Sequence, residues 1–249
     1  MQENETQQDA KAQVIPVEKY LETGAHLGTE FKTGFMKKFI FRTRQDGLKI
    51  IDIKSIDDRV RAAAKLISSV NPSQLVLVSR RSYGQKPVEV MAAQLGARAV
   101  TGRFLPGLFT NPSGKSFTEP RAVMVTDPIA DKQAVTESNK VGIPIIALCT
   151  TLNKARDVDL VIPVNNKGKQ ALALLFWGLT RQVLLEKGTI KDYSEFKLEP
   201  KDFEYTRKEG AKRDYFTGGK FIPKKKERDK ILKRMQARRR GGPRRDRAD

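Results

Sequence analysis

The sequence predicts a doubly wound α/β sandwich, a mostly parallel sheet with helices on both faces. Three observations predict it. The short apolar runs QLVLVS (74–79), AVMVT (122–126) and IIAL (145–148) are continuous rather than alternating, as strands covered on both faces require. Segments of helical period lie between them, where right-handed crossovers belong. Glycines and an Asn-Pro pair punctuate the boundaries.

Phe39–Arg44 and Leu48–Ile53 flank Gln45-Asp46-Gly47. An Asp-Gly pair favours positive φ, so this stretch reads as a hairpin. Ser55, with Asp58 three residues on, reads as a helix start of capping-box type. Ile56, Val60, Ala63, Ala64, Ile67 and Val70 then recur at helical spacing, and Asn71-Pro72 ends that helix. After the strand QLVLVS, Pro87–Leu95 reads as a helix closed by Gly96, and Ala97–Thr101 as a weaker strand. Asp127-Pro128 marks a turn and Asp131 a helix N-terminus, where carboxylates favour the helix dipole. Leu160–Ile162 is the last short strand. The longest helix is expected over Gly168–Lys187, with Leu172, Leu175, Phe176, Leu179, Val183 and Leu184 as its core stripe and Gly188 as its stop. The Asn165–Gly168 stretch should start it, with asparagine side chains accepting from first-turn amides. Trp177 is expected to pack on the sheet. There is no internal repeat.

The chain has 249 residues and a formal net charge of +19. Its balance is uneven. Residues 207–249 hold 18 Lys/Arg against 6 Asp/Glu, leaving 30 basic and 23 acidic residues before them. We expect a disordered N-terminal segment (1–14), an α/β domain (15–191), a C-terminal extension packing on the domain or on RNA (192–223) and a basic disordered tail (224–249). A charge this lopsided points to a polyanionic partner, nucleic acid first. The N-terminus has no apolar secretory core, and no stretch approaches the ~18 apolar residues of a spanning helix. The single cysteine, Cys149, forms no intramolecular disulfide, and its apolar run IPIIALC reads as a buried, inert thiol. A cytoplasmic setting without membrane contact fits these features.

Sandwiches of this class often bind nucleotides, and a catalytic reading would need the motifs that go with them. Gly114-Lys115-Ser116 suggests a phosphate loop, but such a loop needs a glycine five residues before Gly114, and that position is Phe109. No G-x-G-x-x-G follows a strand. His26 is the only histidine, so no His-pair metal site exists and a structural role is expected. Cys149 and His26 lack the third residue of a cysteine hydrolase. We expect no catalytic residue, no cofactor and no metal. Aromatic residues are 7% of the chain, and the stacking aromatic pair of single-strand readers is missing.

What remains is cationic contact with a phosphate backbone. Lys37, Lys38, Arg42 and Arg44 line the first strand region. Arg80, Arg81 and Lys86 follow LVLVS, at a strand's carboxyl end where open α/β sheets present ligand loops. Arg103 and Lys115 lie in a long loop rich in Gly and Pro. The tail adds Lys224, Lys225, Lys226, Arg238, Arg239 and Arg240. These are the candidate RNA-binding residues. The alternative reading is an RNA-acting enzyme on a Rossmann-like fold, which a glycine-rich nucleotide loop would have favoured.

Several blocks together carry a resemblance. YLETGAHLGT (20–29), FIFRTRQDGLKIIDI (39–53), LVLVSRRSYGQKPV (75–88), TGRFLPGLFTNP (101–112), EPRAVMVTDPIADKQA (119–134), GIPIIALC (142–149) and DLVIPVNNKGKQALALLFWGLTRQVL (159–184) occur in order. With their spacing they resemble the small-subunit ribosomal protein two family over nearly all of residues 15–188. The resemblance implies a flavodoxin-like fold, no catalytic residues, and a place near the head–body junction and messenger exit side of the small ribosomal subunit. Its implied partners are small-subunit rRNA and neighbouring small-subunit proteins, with no DNA. Bacterial members carry a long helical hairpin after the block matching Leu108–Asn111; here only Pro112–Thr118 intervenes, which resembles the archaeal or eukaryotic type, the short loop favouring an archaeal-like member. CTTLNKA (149–155) departs from the more acidic loop expected there.

Overall fold

The computed structural model describes residues 13–114 and 116–206, which fall within one compact unit. Lys115, Lys224, Lys225, Lys226, Arg238, Arg239 and Arg240, and the calls made on the tail, lie outside the described residues.

After a short helix α1 (Val17–Thr23), two strands form the expected hairpin, β1 (Ile40–Thr43) and β2 (Lys49–Ile51). They pair antiparallel, and Gly47 takes the positive φ (82°) that the turn requires. The register slips between Ile40 and Arg42, a β-bulge at Phe41. A second, five-stranded sheet has the order β4-β3-β5-β6-β7, all parallel. Its strands are β3 (Leu75–Ser79), β4 (Arg98–Thr101), β5 (Ala122–Val125), β6 (Ile145–Cys149) and β7 (Leu160–Pro163). The helices are α2 (Ile53–Ser68), α3 (Ser82–Leu95), α4 (Lys132–Val141) and α5 (Lys169–Glu186).

The apolar runs are continuous because each strand faces two cores. Leu75, Leu77, Met124, Ile146 and Leu148 join the core under α2, α3 and α5. Val76, Val78, Val123, Val125 and Ala147 turn to the opposite face, where they meet α4, Phe104, Phe109, Met36 and Phe39. Side chains alternate faces along a strand, so an uninterrupted apolar run feeds both layers. Helices on both faces of a parallel sheet are therefore the observed architecture.

Three expectations need correction. Helix α2 starts at Ile53, because Asp52 rather than Ser55 is its N-cap: the Asp52 carboxylate accepts from the Lys54 and Ser55 amides. Ser55 Oγ donates to the same carboxylate at 2.7 Å, the stronger acceptor having taken the cap. Helix α3 starts at Ser82, five residues before Pro87. Its first turn is drawn tight by the Gly84 amide on the Arg81 carbonyl, and the one N–H that Pro87 lacks falls near that exposed end.

The third correction concerns α5, whose N-cap is Gly168 with no side-chain bond. Asn165 Oδ1 instead accepts from the Lys167 amide, while its Nδ2 reaches the Gly24 carbonyl. Asn166 Nδ2 donates to the Thr126 and Leu148 carbonyls, tying the ends of β5 and β6. Buried carbonyls at strand ends need a protein donor, whereas water satisfies an exposed first turn.

Trp177 is buried in the core cluster that also takes in Leu75, Leu77 and Leu148 of the sheet, and the segment after α5 covers it. Its Nε1 donates to the Leu198 carbonyl at 2.7 Å and Phe196 lies beside its ring. The Arg181 guanidinium sits between Trp177 and Tyr193, 4.2 and 4.1 Å from the two rings. Residues 193–203 wrap the outer face of α5, and Phe203 is fully buried there. That cover is why α5 is buried all round rather than along one stripe. Among the described residues no helix is long and apolar enough to cross a membrane, and no group of acidic, histidine or cysteine side chains could hold a metal ion.

Candidate nucleic-acid interface

The strand order reverses direction between β3 and β5, so their carboxyl ends form the crevice in which open α/β sheets hold ligands. Here the protein fills it. Gly84, in the first turn of α3, closes onto it so tightly that a Cβ would lie 2.4 Å from Ser79 Oγ and 2.9 Å from Thr126 Cγ2. Asp127, 2% exposed at its side chain, accepts through Oδ1 from Asn153 Nδ2 (2.7 Å) and the Ile129 amide (3.0 Å). Through Oδ2 it accepts from Arg81 Nε at 2.6 Å, and the Arg81 Nη2 reaches the same oxygen.

Asp131 completes the closure. Its Oδ1 accepts from the Arg80 amide at 2.8 Å and its Oδ2 from the Asp127 amide at 3.2 Å. Both bonds favour the carboxylate, but burial dominates, and the neighbouring Asp127 charge adds to it, so the Asp131 carboxyl is pushed up to about 7. Asp131 therefore braces the Arg80 backbone and Asp127 the Arg81 side chain. Asp131 does sit at the N-terminus of α4, but its side chain turns back to the strand ends instead of capping the helix. Cys149, buried at the end of β6, has its thiol pushed up to about 12 by burial and is inert at neutral pH. His26 Nδ1 lies 3.0 Å from the Tyr20 carbonyl, a local structural bond.

The charge lies outside this closed crevice. Arg80 and Arg103 are exposed and leave adjacent strand ends, for Ser79 pairs with Thr101 and the Gly102 amide donates to the Ser79 carbonyl. Lys86 is half-buried on α3. Arg81 is committed to Asp127. Lys37 and Lys38 are exposed on the 3-10 turn Phe35–Phe39, with Lys38 Nζ 4.0 Å from the centre of the Phe35 ring. Arg42 and Arg44 are exposed on and just after β1, and Arg44 pairs with Asp46 at 3.1 Å. Both partners of that pair are 59% exposed, so it contributes well under ~1 kcal/mol and yields readily to a stronger anion.

The two basic groups are joined by hydrogen bonds. Thr29 meets Thr151 Oγ1 through its amide and hydroxyl, Thr33 Oγ1 donates to the Asn153 carbonyl, and Asn153 holds Asp127 beside Arg81. Gly28 allows this, as a Cβ there would lie 2.6 Å from Thr151 Cγ2. The loop CTTLNKA is thus uncharged where it docks under the segment leading to the hairpin. Lys154 in that loop and Arg156 just after it are exposed. Sequence reasoning passed over these two cations; their position directly after a strand end was the available signal.

The family model for ribosomal protein S2 matches residues 20–117 and 113–185. The small ribosomal subunit protein uS2 of Staphylothermus marinus is 48% identical over 191 residues, covering 77% of this chain and 87% of the relative. The protein of the same name from Ignicoccus hospitalis is 49% identical over 178 residues, covering 71% of this chain and 84% of the relative. The match crosses every strand of the parallel sheet and both ends of its switch point. The chain belongs to the ribosomal protein S2 family, in its archaeal type.

Proposed function

We propose that this protein is a structural constituent of the small ribosomal subunit that binds small-subunit rRNA near the head–body junction and has no catalytic role. It works in the cytoplasm, on the ribosome, beside other small-subunit proteins. The observation that carries the reading is the family match across residues 20–185, from α1 to the end of α5. The geometry supports it. A closed switch point braces a rigid edge, and exposed cations project from that edge toward solvent. Rigid placement lets phosphate contacts fix orientation without reading sequence.

Within this reading Arg80, Arg103, Lys86, Lys37, Lys38, Arg42 and Arg44 meet phosphates, while Arg81 chiefly positions Arg80. Lys115 and the tail cations Lys224, Lys225, Lys226, Arg238, Arg239 and Arg240 add further phosphate contacts. Binding of a small-subunit rRNA fragment, measured across a salt series, tests it. Each phosphate contact releases condensed counterions, so log affinity falls linearly with log salt. Arg80→Ala and Arg103→Ala should each flatten the slope by about 1. Lys65→Ala, on the far turn of α2, should leave it unchanged. Equal slopes for all three folded variants would contradict the interface.

A further inference from the structure

A groove of about 910 Å³ opens between the hairpin, α1 and the first turn of α2. Ile15, Val17, Leu21, Phe41 and Ile50 line its apolar part. Phe41 and Leu21 are 71% and 54% exposed, and nothing in the described chain covers them. The exposure of Phe41 has a local cause, because Phe41 is the bulged residue of β1 and a bulge re-aims its side chain. Strand β1 pairs with β2 on one side and, among the described residues, has no strand on the other. The strand with the open edge, β1, thus supplies Phe41 and Arg42 to the lining of the groove.

The charge around the groove selects among occupants. Its charged lining is Arg42, Lys54 and Arg61 against Asp52, Asp57 and Asp58. In a chain of net charge +19, this region has no basic excess. A phosphate backbone gains little from a balanced rim and nothing from an apolar floor. An extended peptide gains from both features: its main chain pairs with an open edge while alternate side chains fill apolar pockets. The chain's own first twelve residues, MQENETQQDAKA, offer no large apolar side chain except Met1.

We infer that this groove docks an extended, uncharged segment of a neighbouring small-subunit protein, added to the edge of β1 with one apolar side chain seated against Phe41 and Leu21. The inference rests on the ribosomal reading above and has its own test. Leu21→Cys and Phe41→Cys each place a reactive thiol at the groove, and buried Cys149 adds no background. Labelling with a maleimide is compared between the free protein and purified small subunits containing it. A benzophenone amino acid at position 41, irradiated in the same subunits, reports what lies against it.

Both thiols should label fast in the free protein and at least tenfold slower in subunits, and position 41 should cross-link to an apolar stretch of another ribosomal protein. Undiminished labelling in subunits overturns the inference while leaving the ribosomal reading intact. A cross-link to RNA overturns it too, as does protection in the free protein, which would place a second copy or the chain itself in the groove. A protein that never enters small subunits defeats the ribosomal reading instead.

Discussion

Arg80 and Arg81 are adjacent in sequence and differ in task. Arg81 neutralises an Asp127 that has almost no contact with water, and Arg80 is held by its backbone while its side chain is exposed. Removing Arg81 strands a buried carboxylate. Since Arg81 itself keeps 35% exposure, Arg81→Ala should cost on the order of 2–3 kcal/mol, below the ~3–5 of a fully buried pair. Arg80→Ala should cost less than Arg81→Ala, because Arg80 is exposed and the amide that Asp131 holds stays in place. Thermal unfolding of both variants decides this, and equal losses would refute the division. The sequence showed two basic residues at a strand end but could not show which one had a buried partner. Asp127 lies 46 positions away, and only the parallel pairing of β3 with β5 brings the two together.

Asp131 gives a pH dependence of definite sign. In the fold its carboxyl holds a proton up to about pH 7, whereas an unfolded aspartate releases it near pH ~4. Between those values the folded state binds more protons, so this group's contribution to stability is full below about pH 4 and is lost as pH rises through 7. Asp131→Asn removes the titration. The drop in midpoint from pH 5 to pH 8 should be smaller in the variant than in the parent protein, and an equal drop would show that Asp131 is already ionised in the fold.

At the scale of elements, the parallel strands and the span of α5 were legible because burial on both faces leaves continuous apolar runs, although α5 is buried all round and not along the one stripe expected. Boundaries were less so. Asp52, Ser55, Asn165 and Asn166 are all competent caps, and the choice among them depends on which backbone groups the tertiary fold buries. The cover over α5 was illegible for a similar reason. Residues 193–203 have no periodicity and are held by separated anchors, Leu198 on Trp177 and Phe203 in the core. Phe203→Ala should cost about 3–5 kcal/mol, as for other buried Phe truncations. It should also loosen the cover. Trp177 emission, expected at short wavelength and slow to quench in the parent, should then shift to the red and become accessible to acrylamide. Unchanged emission in Phe203→Ala would mean that the cover is held without Phe203.

At the scale of the whole molecule, fold class and family were readable, since ordered blocks spanning most of the chain carry far more information than any single motif. The basic surface was readable in composition but not in arrangement. Counting cations put Arg81 level with Arg80 and missed Lys154 and Arg156. Nor could composition reveal that the switch point is closed from within, for that depends on Gly84, Asp127, Asp131 and Asn153 converging from three segments. Closure gives the rest its sense: side chains that fill the crevice stiffen the edge that carries Arg80 and Arg103.

The measurement that bears most directly on this account is sedimentation of a lysate from cells that express the tagged chain at native level. The account predicts that the protein travels with small ribosomal subunits, stays with them through a wash at moderately raised salt, and leaves when their RNA is digested. A protein that remains at the top of the gradient as a free monomer, with intact subunits below it, would contradict the account.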